Sequence, residues 1–321
     1  MKNVVTIGGG TGTFVVLSAL RNIPEISLSA LVTTADDGGS TGHLRDAYGF
    51  LPAGDARQAL VALAEDGNVL RDLFAYRFTK SDVAGHNLGN LFITALTDML
   101  GSDSVALAEA SKILRIHGKV IPVTEQSSTL VATLADGTKV TTEHLIDERV
   151  SGRSRIESLS FEESAPLSRE ASLALTAADV IILGPGDLYT SSIAALLPAG
   201  MKEIIRDSHA TLVYVSNLFT KIGQTDNFTL SDHVSEIARY AGREVDHILV
   251  HEGEFTSPVL AGYAKEEEYP VVDDLPLDMR VIRRPLASVN EVPPLPNDPI
   301  KRSLIRHEPR LVGEAFLPLL R

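Results

Sequence analysis

Short aliphatic runs recur along the chain, each followed by a stretch whose apolar residues fall at three- and four-residue steps. Residues 4–7 form the first run, followed by a glycine loop and a helical stretch over 14–21. A second run, 28–34, ends at Asp36-Asp37, and 180–183, 211–215 and 248–250 repeat the theme. Continuous aliphatic runs flanked by helices read as parallel strands buried on both faces. Residues 88–100 and 104–114 carry the helical period. The pattern predicts an α/β fold with a doubly wound, mostly parallel, Rossmann-like sheet.

One region departs from this rhythm. Between 118 and 165 the sequence alternates in strand fashion over 119–123, 129–134, 139–142 and 155–161, and Asp136-Gly137 between two of these runs signals a hairpin. A small β-rich insertion at 118–165 is expected within a single domain spanning 1–321. Beyond Arg284, the prolines Pro285, Pro293, Pro294, Pro296 and Pro299 mark an extended arm. It leads to a short closing helix near 308–320, so that 285–321 forms a C-terminal arm. No internal repeat is visible.

Composition narrows the function classes. The 321 residues are 44% hydrophobic and 22% charged, which is ordinary globular usage and enough chain for a sizeable core. Cysteine is absent, which excludes disulfides, thiolate catalysis and any Cys-based metal site. With 29 Lys and Arg against 42 Asp and Glu, the net charge of −13 argues against nucleic-acid binding. One positive pocket for a phosphorylated ligand remains compatible with it. No run reaches the ~18 apolar residues of a membrane helix. The first apolar run is too short for a signal peptide. A soluble cytoplasmic protein is expected.

The chemistry concentrates in loops at strand ends. Gly8-Gly9-Gly10-Thr11-Gly12-Thr13 lies between a strand and a helix. There glycines permit a turn and close approach of a ligand, while helix N–H groups face an anion. Gly9, Gly10, Thr11, Gly12 and Thr13 are therefore candidates for phosphate or nucleotide. The loop lacks the third glycine of a dinucleotide fingerprint and the Lys-Ser/Thr ending of a P-loop. Oxidoreductase chemistry loses support accordingly.

Asp36, Asp37, Gly38, Gly39 and Ser40 follow the second strand. Their carboxylates suit ribose hydroxyls, Mg²⁺ or a proton, with helix capping as the bland alternative. Gly38 to Gly42 also spells a nucleophile elbow, but the oxyanion-hole loop and the triad partners are missing. Gly54 and Asp55, and Asn87 and Asn90, stand at helix starts, where capping alone would explain them. Gly184, Gly186, Asp187, Thr190 and Ser191 follow the strand at 180–183, and Asn217 follows that at 211–215. In a parallel sheet all these loops converge. His247 and His251 sit on a strand and form no ligand cluster, and Glu266-Glu267-Glu268 reads as a solvated charge run.

At these loops the chain resembles the YvcK-like gluconeogenesis factors, within the wider CofD-like (2-phospho-L-lactate transferase) superfamily. The matching segments are 7–12, 34–42, 51–57, 76–78 with 85–91, 118–124, 178–191 and 213–217. The tail 305–309 is also similar, where the family commonly has Asp in place of Glu308. The resemblance implies a nucleotide-type ligand at the strand ends. YvcK-like members bind UDP-sugars and act in cell shape and peptidoglycan synthesis during growth on gluconeogenic carbon. CofD-like transferases move a phospholactyl group from a nucleotide diphosphate carrier to a deazaflavin with Mg²⁺.

The wording of 178–191 is closer to the YvcK-like branch. The expected function is therefore a regulatory binder of a UDP-sugar such as UDP-N-acetylglucosamine, with no cofactor fixed by the residues. The alternative is a Mg²⁺-dependent transferase, in which Asp36 and Asp37 would hold the metal. A homodimer, a cell-wall synthesis protein as partner, and an arm that closes with Arg306 on a phosphate complete the expectations.

Overall fold

The computed structural model describes residues 1–35, 50–149, 154–288 and 304–320. Its centre is a seven-stranded, fully parallel sheet built from β1 (Lys2–Gly8), β2 (Ile26–Val32), β3 (Lys119–Pro122), β7 (Val180–Leu183), β8 (Thr211–Val215), β9 (His247–His251) and β10 (Val281–Arg284). The strand order is β10-β9-β8-β7-β1-β2-β3. The chain runs outward from β1 through β2 to β3, then returns to the other side of β1 and runs outward again. The reversal lies between β1 and β7, which is where open α/β sheets bind ligands.

The aliphatic runs follow from burial on both faces. Side chains alternate across a strand, so Ile181 and Leu183 enter one apolar core while Val180 and Ile182 enter the other. Leu212, Tyr214 and Ile248 join the first core, and Val213, Val215 and Leu249 the second. On the second face lie α1 (Gly10–Leu20), α2 (Gly54–Leu63), α4 (Leu88–Leu100) and α5 (Asp103–Leu114), with α3 (Val69–Ala75) packed on α4. The last helix, α11 (Pro309–Phe316), packs on α1, so the end of the chain braces the helix that leaves the glycine loop.

The first face carries the insertion. β4 (Leu130–Leu134), β5 (Lys139–Thr141) and β6 (Ile156–Phe161) form an antiparallel sheet in the order β5-β4-β6, with α6 (Glu143–Asp147) after β5. The hairpin expected at Asp136-Gly137 joins β4 to β5, with Gly137 at φ +83°. The run expected at 119–123 is different in kind. It is β3, the edge strand of the main parallel sheet, and only the later runs build the small sheet. The same face also holds α7 (Arg169–Thr176), a π-helical turn (Leu188–Ile193), α8 (Met201–Asp207) and α9 (Leu230–Ala241). The remaining helix, α10 (Ser257–Ala264), follows β9.

Candidate functional site

Two loops interlock at the reversal point. The first leaves β1 at Gly8 and turns directly into α1, which begins at Gly10, four residues earlier than the 14–21 stretch expected. The loop is therefore the first turn of the helix itself. Gly10 sits at φ +67°, a left-handed conformation that glycine adopts without strain. A helix start leaves its first N–H groups without intrahelical acceptors. The Gly10 N–H is taken by the Asp55 carboxylate at 2.8 Å. Those of Thr11 and Gly12 remain at the positive end of the helix dipole.

The second loop leaves β7 at Gly184, whose φ is +70°, passes through a cis Gly184-Pro185 bond and enters the π-helical turn. A Cβ on Gly12 would overlap the Pro185 carbonyl and come within 3.0 Å of the Gly186 nitrogen. A Cβ on Gly186 would stand 3.5 Å from the Gly9 carbonyl oxygen. At Gly12 only a position without a side chain lets the two loops touch through their backbones, whereas the Gly186 contact is of ordinary length. The Asn217 Nδ2 locks the arrangement by donating to the Gly186 carbonyl at 2.7 Å, while its Oδ1 accepts from the Tyr214 hydroxyl at 3.1 Å. The start of α1 thus meets the π-helical turn, and the Thr11 and Gly12 N–H groups of α1 would suit an anion beside the junction.

The structure brings Gly9, Gly10, Thr11, Gly12, Gly184, Gly186, Asp187, Ser191 and Asn217 together, with Asp55 behind the first loop. Asp55 is not the helix cap that its position suggested. It lies inside α2 and ties that helix to the glycine loop, and Gly9 is required because a Cβ there would lie 2.7 Å from the Asp55 Cγ. Thr13 and Thr190 are buried, Thr190 with its hydroxyl 3.4 Å from Gln224 Nε2. Asn87 is a cap: its Oδ1 accepts from the Gly89 and Asn90 N–H groups at 2.9 and 3.3 Å. Asn90 accepts from Arg57 Nε at 2.9 Å. These two asparagines build helix α4 and its junction with α2. Asp36, Asp37, Gly38, Gly39 and Ser40 lie outside the described residues.

Arg306 is placed by main-chain pairing. Its carbonyl accepts from the Ser288 N–H at 2.8 Å, His307 bridges Ala287, and Glu308 N–H reaches Leu286 at 2.7 Å. Residues 304–308 are thus fixed against 286–288, and Ile305 and His307 are buried. The described end of the arm is thus held to 286–288 by main-chain bonds, and residues 289–303 lie outside the described residues.

Beside the second loop stands a group of polar residues without a motif. Asp187 is pushed up to about 7 by burial and by the neighbouring Asp147 carboxylate, against the pull of Lys221. Burial tends to lower the Lys221 ammonium, but Asp187, Asp147 and Glu268 outweigh it and hold it above its usual value. Gln224 donates to Asp147 at 3.0 Å, and Lys221 lies 3.8 Å from the same oxygen. Glu268 therefore belongs partly to this cluster and is only half exposed, unlike a purely solvated run. Asp147 arrives from the insertion, Asp187 from the β7 loop, and Lys221 from the segment beyond β8. Asp187 was expected from its loop, whereas the separation of Asp147 and Lys221 along the chain hid those two. The polar stretch after Asn217 was the available signal. Among the described residues, no group of three or more His, Asp or Glu is placed to hold a metal ion. No described helix is long and apolar enough to cross a membrane.

Residues 4–287 match the family described as "2-phospho-L-lactate transferase CofD". The chain is 40% identical over 318 residues to the "Gluconeogenesis factor" of Halalkalibacterium halodurans, covering 98% of this chain and 96% of that one. It is 35% identical over 324 residues to the "Gluconeogenesis factor" of Bacillus subtilis, covering 99% and 98%. A crystal structure of a UPF0052 family protein from Bacillus halodurans superimposes with a TM-score of 0.89 at 38% identity, over 99% of this chain and 100% of that chain. By sequence and by fold alike, the chain belongs to the CofD family, among its gluconeogenesis factors.

Proposed function

We propose that this protein is a regulatory binder of a UDP-sugar such as UDP-N-acetylglucosamine, required for cell shape and cell-wall synthesis during gluconeogenic growth. The observation that carries the reading is the interlock of Gly12 with Pro185 and Gly186 at the reversal of the sheet. Helix α1 starts there, and a diphosphate is a group that the N–H donors of its first turn suit. The relatives named gluconeogenesis factor supply the physiological side of the proposal. On this reading the protein works in the cytoplasm as a homodimer, and a cell-wall synthesis protein receives its signal.

A second reading draws on the family description and on Asp187. A carboxyl pushed up to about 7 beside a phosphate site has the proton affinity of a general acid or base. That reading is a Mg²⁺-dependent transferase using a nucleotide-diphosphate-linked donor, with Asp36 and Asp37 on the metal. One experiment separates the two. The purified protein is titrated calorimetrically with UDP-N-acetylglucosamine, then incubated with the same compound and Mg²⁺ while products are followed by mass spectrometry. Saturable binding without a product supports the regulatory binder. Steady product release overturns it in favour of the transferase. Absence of binding removes both.

A further inference from the structure

A cavity of about 470 Å³ opens at the carboxyl ends of β8 and β9, beyond the two glycine loops. Asn217 is the wall between them: it lines the cavity and bonds to Gly186 on its other side. Among the described residues no Lys or Arg lines this space, whereas Glu254 and Asp273 do, Asp273 paired with Arg283 at 2.6 Å. The lining offers a phosphate no cation of its own, so an uncharged occupant suits the cavity better than an anion.

The walls define the occupant further. Phe255 lines one side, its ring 4.6 Å from Phe219 and 5.0 Å from His251. The His251 Nδ1 accepts from the Leu286 and Ala287 N–H groups at 3.0 and 3.3 Å. That arrangement places the imidazole proton on Nε2, where it is a donor. Burial lowers the His251 pKa, so the ring stays neutral at physiological pH. An aromatic wall, two carboxylates that only accept and one imidazole that donates suit a ring with apolar C–H faces and several hydroxyls.

Position agrees with chemistry. In the strand order, β8 and β9 lie on the opposite side of β1 from β2. A nucleotide with its ribose at the end of β2 and its diphosphate on the β1 and β7 loops would extend its distal group over β8 and β9. We infer that the cavity beyond Asn217 is the subsite for the uncharged, hydroxyl-bearing ring attached to the far phosphate, with Phe255 as its platform. The inference rests on the nucleotide-sugar reading above.

Leu260 is 38% exposed on the cavity wall, so a polar substitution there leaves the core intact. Wild type, Leu260→Glu and Phe255→Ala are titrated with UDP and with UDP-N-acetylglucosamine. Wild type is expected to bind the sugar compound at least tenfold more tightly than UDP. Both variants are expected to keep UDP affinity within twofold and lose that surplus. Equal loss of both ligands in folded variants places the nucleoside in the cavity and overturns the inference. So does a surplus that survives both substitutions, or a wild type that shows none. A wild type that binds neither ligand fails at the nucleotide reading itself, and the subsite falls with it.

Discussion

The Asp55 carboxylate accepts the Gly10 N–H at 2.8 Å across 45 positions of sequence, tying the start of α2 to the start of α1. A charged acceptor satisfies one of the donors that a helix start leaves over. Such a bond contributes about 1.5–3 kcal/mol when one partner is ionised. Asp55 is only half-buried, so the lower end applies. Asp55→Ala is expected to cost about 1–2 kcal/mol in urea denaturation. Asp55→Asn, which keeps the acceptor oxygen, is expected to cost less than half as much. An unchanged midpoint in Asp55→Ala would show that the loop holds itself.

Gly12 and Gly10 differ in what a methyl group would meet. At Gly12 the obstacle is the Pro185 carbonyl, which is backbone and cannot rotate away. At Gly10 the nearest atom is the Ser191 Oγ at 3.7 Å, so only the left-handed backbone resists substitution. Gly12→Ala is therefore expected to cost about 1–3 kcal/mol through forced separation of the loops. Gly10→Ala is expected to cost about 1 kcal/mol. Gly12→Ala should also lower UDP-N-acetylglucosamine affinity at least tenfold, measured by calorimetry. Equal stability and affinity in the two variants would contradict the interlock.

The sheet was legible because each of its buried strands is a continuous aliphatic run, and both cores demand that composition. The glycine loops were legible because backbone contact between loops excludes side chains, and that exclusion is written in the sequence. Asp147, Lys221 and Gln224 were not legible, since burial and long-range electrostatics leave no local pattern. Asp55 and Asn87 show the same limit at closer range. Both stand at helix starts in similar wording, yet one caps its own helix and the other reaches across to a different one. The strand at 119–122 is buried over Val120, Ile121 and Pro122, so its place beside the later runs in the chain, and not a shared alternation, is what made it read as one of them.

Two buried histidines and a half-buried third make the fold sensitive to acid. Burial and the neighbouring His251 push His307 down to about 4, and burial also lowers His233 and His251. In the unfolded chain each returns to about 6.5. Between these values the unfolded state binds more protons, so stability is full above about 6.5 and falls as pH drops towards 4. His307 alone accounts for about 3 kcal/mol across that window. His307→Gln is expected to flatten the dependence by about that amount, read from urea midpoints at pH 4.5 and 7.5. A parallel profile in the variant would exclude His307 as the source.

On the proposed nucleotide-sugar reading, Asp187 is expected to couple ligand binding to pH. Its carboxyl is raised to about 7 by burial and by Asp147, Lys221 opposes the shift, and Glu268 adds to it. A diphosphate on the adjacent loops brings further negative charge, which favours the neutral carboxyl still more. Binding therefore takes up a proton when pH lies above 7. Affinity is expected to be constant below about 7 and to fall above it, by up to tenfold per pH unit. UDP-N-acetylglucosamine is the proper probe, because both its phosphates are esterified and neither titrates near neutrality. Asp187→Asn removes the titrating group and is expected to bind with the low-pH affinity of wild type from pH 6 to 9. Lys221→Met removes the cation that opposes the shift, so its affinity should begin to fall at higher pH than in wild type. The same linkage reaches stability with the opposite sign to the histidines. An acid raised on folding binds more protons in the native state, so its contribution is lost as pH rises from about 4 through 7. Asp187→Asn should then gain stability over wild type at pH 8 and lose that advantage at pH 5. Calorimetry in two buffers of different ionisation enthalpy counts the protons taken up on binding. An uptake at pH 8 that persists unchanged in Asp187→Asn would assign the coupling to another group.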